Sequence, residues 1–251
     1  MAIFRNELSE KDLDFVVETL APGAKDREKL KECINQDPDI RRGSLGDERL
    51  FQKIMQDPPS ISKISPLLFF EVLLRRTVKE METATHTIDI TVSMRIPVFD
   101  LNKTLDLLEE EEVFYYLVHL LTSFVSCEKK SFKDVSIDRL LEITKITEEE
   151  ERFFVYKRIA DTCLFVLGIF PKYLMYDYLY LFLKKKPPLT GEPKRSIADY
   201  EMLGQEFYAL AAKQEIAKTG SLTNIFCLLS DNFYLAKKPL NLVSEKLAIS
   251  H

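Results

Sequence analysis

Along most of the chain the apolar positions recur with a helical period. Leu13, Val16, Val17 and Leu20 form a stripe behind the start signal Ser9-x-x-Asp12, and Pro22-Gly23 stops it. A charged helix over 25–35 follows, with a thin apolar edge at Leu30 and Ile34 and an end at Asp37-Pro38; another is predicted over 47–56. Ser65-Pro66 is the best-marked start, an N-cap followed by a proline whose missing N–H costs nothing at the first helical position. The helix it opens runs to about Glu82. Its run Leu67 to Phe70 and Val72 to Leu74 covers most of the circumference, as expected of a helix packed on several sides.

From Thr87 to Ile96 the period falls to two. Ile88, Ile90, Val92, Met94 and Ile96 alternate with Asp89, Thr91, Ser93 and Arg95, which predicts a strand with its apolar set on the helical body and its polar set outward. A lone strand is not stable, so the segment needs a partner inside the chain, across a homodimer or on another protein. Ile88, Ile90, Val92 and Met94 are therefore a candidate interaction strand.

Beyond Pro97, Asp100 can cap a helical region over 102–125, interrupted near 109–112. Ser136 can cap a short helix carrying Leu140, Leu141 and Ile143, and Thr147-x-x-Glu150 reads as a capping box before the next long helix. The stretch 184–195, rich in proline and basic residues, reads as a linker. Helices are expected over 197–218, 222–236 and, after Pro239, 240–249. The fold class is then mainly α: an irregular multi-helix bundle of about ten helices with one short β strand or hairpin near 85–97. It is read as a single domain over 1–251, loosely divided by the linker 184–195 into a body (1–183) and a C-terminal helical lobe (196–251).

Composition narrows the function classes. Seven Gly and 11 Pro among 251 residues leave little material for tight β turns or a phosphate-cradling loop. A net charge of -5 provides no general field for a polyphosphate, so nucleic acid is not an expected partner; salt-dependent binding through 184–195 is the minority reading. Cys33, Cys127, Cys163 and Cys227 are scattered without a CxxC pair and read as reduced thiols. With no apolar leader at the N-terminus, the expected location is cytoplasmic. The apolar stretch Cys163 to Leu183 carries Pro171, Lys172 and Asp177 in its middle, where a charge costs about 2.5–3.5 kcal/mol in a bilayer, so no membrane span is expected.

Three histidines, without an HExxH or cysteine cluster, predict no metal site, and no cofactor is expected. No catalytic motif is present, and His119 reads as a hydrogen-bonded core histidine. One polar constellation stands out. Phe154, Arg158, Asp161, Phe165 and Gly168 share one face of a helix that is apolar nearly all round, so Asp161 must be paired, with Arg158 three residues earlier as the expected partner. Two readings stand: a buried pair fixing helix register, or a ligand-facing polar pocket of Arg158, Asp161, Tyr200 and Tyr208. Gly204 lies in the packed stripe of its helix, which predicts close approach of another backbone.

The runs Gly46-Asp-Glu-Arg-Leu-Phe, Ile64-Ser-Pro-Leu-Leu-Phe-Phe-Glu-Val-Leu-Leu-Arg-Arg, Arg95-Ile-Pro-Val-Phe-Asp and Arg158-Ile-Ala-Asp-Thr-Cys-Leu-Phe-Val-Leu-Gly-Ile-Phe-Pro resemble a family of uncharacterised, mostly helical proteins of bacteria and archaea. Tyr200-x-x-x-Gly204-x-x-Phe207-Tyr208 resembles its later motif. The resemblance implies a shared architecture over 45–215 and a site around Arg158, Asp161 and Phe170-Pro171, but no reaction. The first functional expectation is a helical protein-interaction or regulatory module with an unknown protein partner or a second copy as its target. The alternative is an enzyme or small-molecule sensor with an interhelical pocket near Arg158 and Asp161.

Overall fold

The computed structural model describes Phe4 and residues 7–90, 95–126, 137–171, 174 and 195–249. They form fourteen helices and one antiparallel hairpin, which bears out the mainly α reading. The N-terminal helices are α1 (Glu10–Leu20), α2 (Arg27–Gln36), α3 (Pro38–Leu45), α4 (Glu48–Gln56) and the single turn α5 (Pro58–Ile61). Ser9 and Asp12 cap α1 reciprocally. α3 is unanticipated: Asp37 both closes α2 and caps α3, with Pro38 at the first helical position, so the expected stop is also a start.

α6 (Pro66–Glu82) begins at the predicted cap, Ser65. Its Leu68 and Val72 complete a small core with Val16, Ile34, Leu45 and Leu50. Its Leu73, Leu74 and Met81 belong to the larger core, so one helix faces two clusters and its apolar circumference is accounted for. The hairpin follows, β1 (Thr87–Ile90) against β2 (Arg95–Val98), with Thr87 opposite Val98 and Ile90 opposite Arg95. Then come α7 (Leu101–Glu109), α8 (Glu111–Ser126), α9 (Ile137–Ile146), α10 (Arg152–Ile169), α11 (Ile197–Ala212), α12 (Glu215–Thr219), α13 (Thr223–Asp231) and α14 (Phe233–Ile249).

α10 runs through the large core, packed chiefly on α11 and α14. A Cβ on Gly204 would lie 2.2 Å from two ring atoms of the buried Phe233, and one on Gly168 2.5 Å from Leu240 Cβ. The close approach predicted at Gly204 is thus to an aromatic ring, and α14 seats against both glycines. α14 also serves the end of α10: Asn241 donates to the carbonyls of Leu167 and Gly168, and Ser244 to that of Ile169.

Several local expectations are corrected. Pro239 lies inside α14 and does not begin a helix. The lost hydrogen bond and ring clash cost about 3 kcal/mol, which full burial of Phe233, Ala236, Leu240 and Val243 outweighs. The stretch 197–218 divides between α11 and α12. Thr147 does not cap, because its hydroxyl donates to Ile143 O, and a 3-10 turn at Glu149–Glu151 precedes α10. Asp100 makes no cap bond, since its carboxylate is drawn to α14. Ser136 and the linker residues 184–194 lie outside the described residues.

The hairpin keeps only part of the expected facing. Asp89 of the polar set faces α14 together with Thr87, and Ile96, which pairs directly with Asp89 and so shares its face, is 40% exposed, while Arg95 of the polar set is exposed as expected. Lys238, whose ammonium is buried in α14 and needs anionic partners, draws Asp89 and Thr87 inward. Ile88 is half-buried. Val92 and Met94 lie outside the described residues, as does the side chain of Ile90.

Candidate functional site

Asp161 is 4% exposed, in the middle of α10. Tyr116 of α8 and Tyr208 of α11, both fully buried, donate to its Oδ1, Tyr208 at 2.9 Å. Oδ2 takes the ammonium of Lys157 at 2.6 Å. The predicted partner was Arg158, and the structure corrects this: the Arg158 guanidinium lies over the Phe124 ring, 4.4 Å from its centroid. Helical geometry explains the exchange, because residue 157 is about 40° and residue 158 about 60° from residue 161 around the axis, on opposite sides. Tyr208 thus joins Asp161 as expected, while Tyr200 packs half-buried against the core two turns earlier.

Burial first, then the charge of Asp161, raises the Tyr116 and Tyr208 phenols well above their ordinary range, so both remain neutral donors. Half-buried beside this cluster, His119 is lowered by burial and by the Lys157 charge. No buried side-chain nitrogen or oxygen among the described residues lacks a hydrogen bond. The Asp161 cluster therefore joins three helices through satisfied contacts and leaves its carboxylate enclosed.

The second polar cluster fixes the hairpin. Lys238 pairs with Asp100, donates to Thr87 Oγ1 at 2.9 Å and lies 3.7 Å from Asp89, which accepts from Tyr234. Burial works against the Asp100 carboxylate, but the bonds from Lys238 and Thr87 hold it below its ordinary range. Arg95 on β2 reaches Glu245 at 2.7 Å. Phe99, just past β2, is 83% exposed.

The third cluster lies between α3, α6 and α8. Glu71, fully buried on α6, receives Arg41 through two nitrogens at 2.9 and 2.6 Å and Arg75 through two at 3.0 and 2.8 Å. Arg75 also donates to Tyr115 at 2.9 Å, and its guanidinium covers the Phe114 ring at 4.5 Å. Burial pushes the Glu71 carboxyl up, yet the bond from Arg41 and the charges of Arg75 and Arg41 hold it below its ordinary range. Sequence reasoning missed this group. The available signal was Glu71 inside an apolar run, four residues before Arg75.

Arg75 forms part of the wall of an open cleft of about 140 Å³ between α3, α6, α7 and the start of α8. Arg42 and Lys79 supply further positive charge, Glu82, Glu109 and Glu111 supply negative charge, and Val78, Leu105, Leu108 and Phe114 supply apolar surface. Among the described residues no group of three His, Cys, Asp or Glu could hold a metal ion, and no helix is long and apolar enough to cross a membrane. No protein-family model, curated protein or solved structure matches the chain.

Proposed function

We propose that the chain is a helical protein-interaction or regulatory module that engages its partner through the β1–β2 hairpin. The observation that carries this reading is the contrast between an anchored strand, β1, and an exposed strand, β2, that leads into Phe99. Thr87, Asp89 and Asp100 tie it to Lys238 and Tyr234, while Ile96 and Phe99 remain 40% and 83% exposed. An aromatic side chain held in water on an anchored support is a suitable contact residue, because docking buries it without first ordering the backbone. β2 has no third strand beside it among the described residues, which leaves it available for strand addition. Enclosure of Asp161 weighs against the alternative of an enzyme or sensor pocket at Arg158 and Asp161.

The test compares wild type with Phe99→Glu, a change at a site with almost no folded contacts to lose. Sedimentation and cross-linking in extract of the native host should show a bound protein, or a second copy, that the variant loses while its melting temperature stays the same. Retention of the same complex by Phe99→Glu, or a monomeric wild type with no cross-links through the hairpin, would overturn the reading.

A further inference from the structure

We infer that the cleft between α3, α6, α7 and α8 binds a small zwitterion of the α-amino-acid class, with its carboxylate on Arg75, Arg42 and Lys79 and its ammonium group on the glutamates of the same lining. This inference is independent of the hairpin. Its starting point is Arg75, which is only 7% exposed. Nε and Nη2 of its guanidinium are committed to Glu71 and Tyr115, and Nη1 has no acceptor among the described residues. Since no buried side-chain nitrogen there lacks a partner, Nη1 must be accessible, and the open space Arg75 borders is the cleft. An almost buried guanidinium held rigidly by a carboxylate, with one nitrogen left to a cavity, is a preorganised carboxylate receptor.

Two further cations stand at the same cleft. Neither Arg42 nor Lys79 makes a side-chain hydrogen bond or an ion pair within 4 Å among the described residues. Lys79 lies along Gly46, with its Cε 2.8 Å from where a Cβ would stand, so the missing side chain leaves room for the lysine stem. Its charge also acts on Asp47, but that carboxylate is already bonded to Arg49 at 3.0 Å.

The acidic residues of the lining decide the class of ligand. Glu82, Glu109 and Glu111 likewise make no side-chain hydrogen bond or ion pair among the described residues. Three carboxylates at the rim oppose a polyphosphate, whose charge they would repel, and six charges oppose a wholly apolar guest. A molecule carrying one carboxylate and one ammonium group satisfies both the cations and the glutamates, and its aliphatic part meets Leu105, Leu108 and Val78. A volume of about 140 Å³, below the roughly 300–1,000 Å³ of pockets for drug-sized molecules, limits the guest to a small molecule and excludes a nucleotide.

The test titrates the full chain at low ionic strength with single amino acids, followed by calorimetry and by the melting temperature. N-acetyl amino acids, which lack the ammonium charge, and inorganic phosphate are run beside them. At least one amino acid should bind saturably in the millimolar range or tighter, and its N-acetyl form should bind about tenfold more weakly or worse. Lys79→Ala and Arg42→Ala, both surface changes, should weaken binding to a similar degree without lowering the melting temperature of the free protein. Gly46→Ala should also weaken it by moving Lys79. Absence of saturable binding by any amino acid, equal binding of the N-acetyl form, binding of phosphate alone, or unchanged affinity in both cation variants would each overturn the inference.

Discussion

Replacing Asp161 with alanine should expose how much of the large core depends on one carboxylate. The change removes the acceptor for two fully buried phenols and the anion facing Lys157. Each buried hydroxyl that loses this acceptor costs about 1–3 kcal/mol, the two phenols keeping their bond to each other. The lysine is less costly, because its side chain is 22% exposed and its ammonium can turn to water. The expected loss is therefore about 3–5 kcal/mol, the range for breaking a buried charged contact. Asp161→Asn, which keeps an acceptor near the phenols, should cost less. Among the described residues Arg158→Ala forfeits the contact over Phe124, about 0.5–1 kcal/mol at a partly exposed site. Urea unfolding of the three variants, with slopes compared to confirm that only the midpoint moves, provides the measurement. If Asp161→Ala lost less than about 1 kcal/mol, or if Arg158→Ala lost as much as Asp161→Ala, the assignment of partners around Asp161 would be refuted.

Gly204→Ala should be destabilising despite the better helix propensity of alanine, since a gain of about 1 kcal/mol is opposed by a Cβ placed 2.2 Å from the Phe233 ring; Gly204→Leu should melt lower still, and an alanine variant as stable as wild type would show that the ring yields. For acid unfolding, Glu71 gives a signed expectation: its folded pKa is below the ordinary 4.5, so the stability it contributes is present above that value and is lost as pH falls through the folded one. Glu71→Gln should be less stable at neutral pH and should flatten the acid limb of a stability–pH profile, and an unchanged acid limb would count against the buried triad.

How far the sequence discloses this molecule depends on the range of the forces involved. Ser9 and Ser65 mark helix starts correctly because a cap is settled within three residues. Pro239 and Asp100 mislead because tertiary contacts override their local preference: a proline surrounded by buried apolar residues stays helical, and an aspartate facing a buried ammonium leaves its cap. The alternation over 87–96 points to extended structure, but two paired strands replace one, so Asp89 and Ile96 share a face, and the pull of Lys238 on Asp89, distant in sequence, is not predictable from a period of two. Asp161 is recognisable as a buried carboxylate needing partners, and Tyr208 is found with it. Lys157 is passed over for Arg158, whose side chain Phe124 takes from another helix. The cleft is invisible along the chain, as its charges come from α3, α6, α7 and α8, none of which carries a motif for it.

The ties made by α14 also bear on how the protein is assembled during synthesis. The small core draws only on residues between Leu8 and Val72, a contiguous stretch that can close while the rest of the chain is still being made. The large core cannot. Glu80 on α6, Asp100 beside the hairpin, Glu201 on α11 and the last carbonyls of α10 all wait for Lys246, Lys238, Lys237, Asn241 and Ser244, which leave the ribosome after every group they bind. Until then, the apolar faces of α8, α10 and α11 are made but not sealed. The nascent chain thus passes through an obligatory stage with a folded head and an open trunk, and loss of the α14 residues would arrest it there.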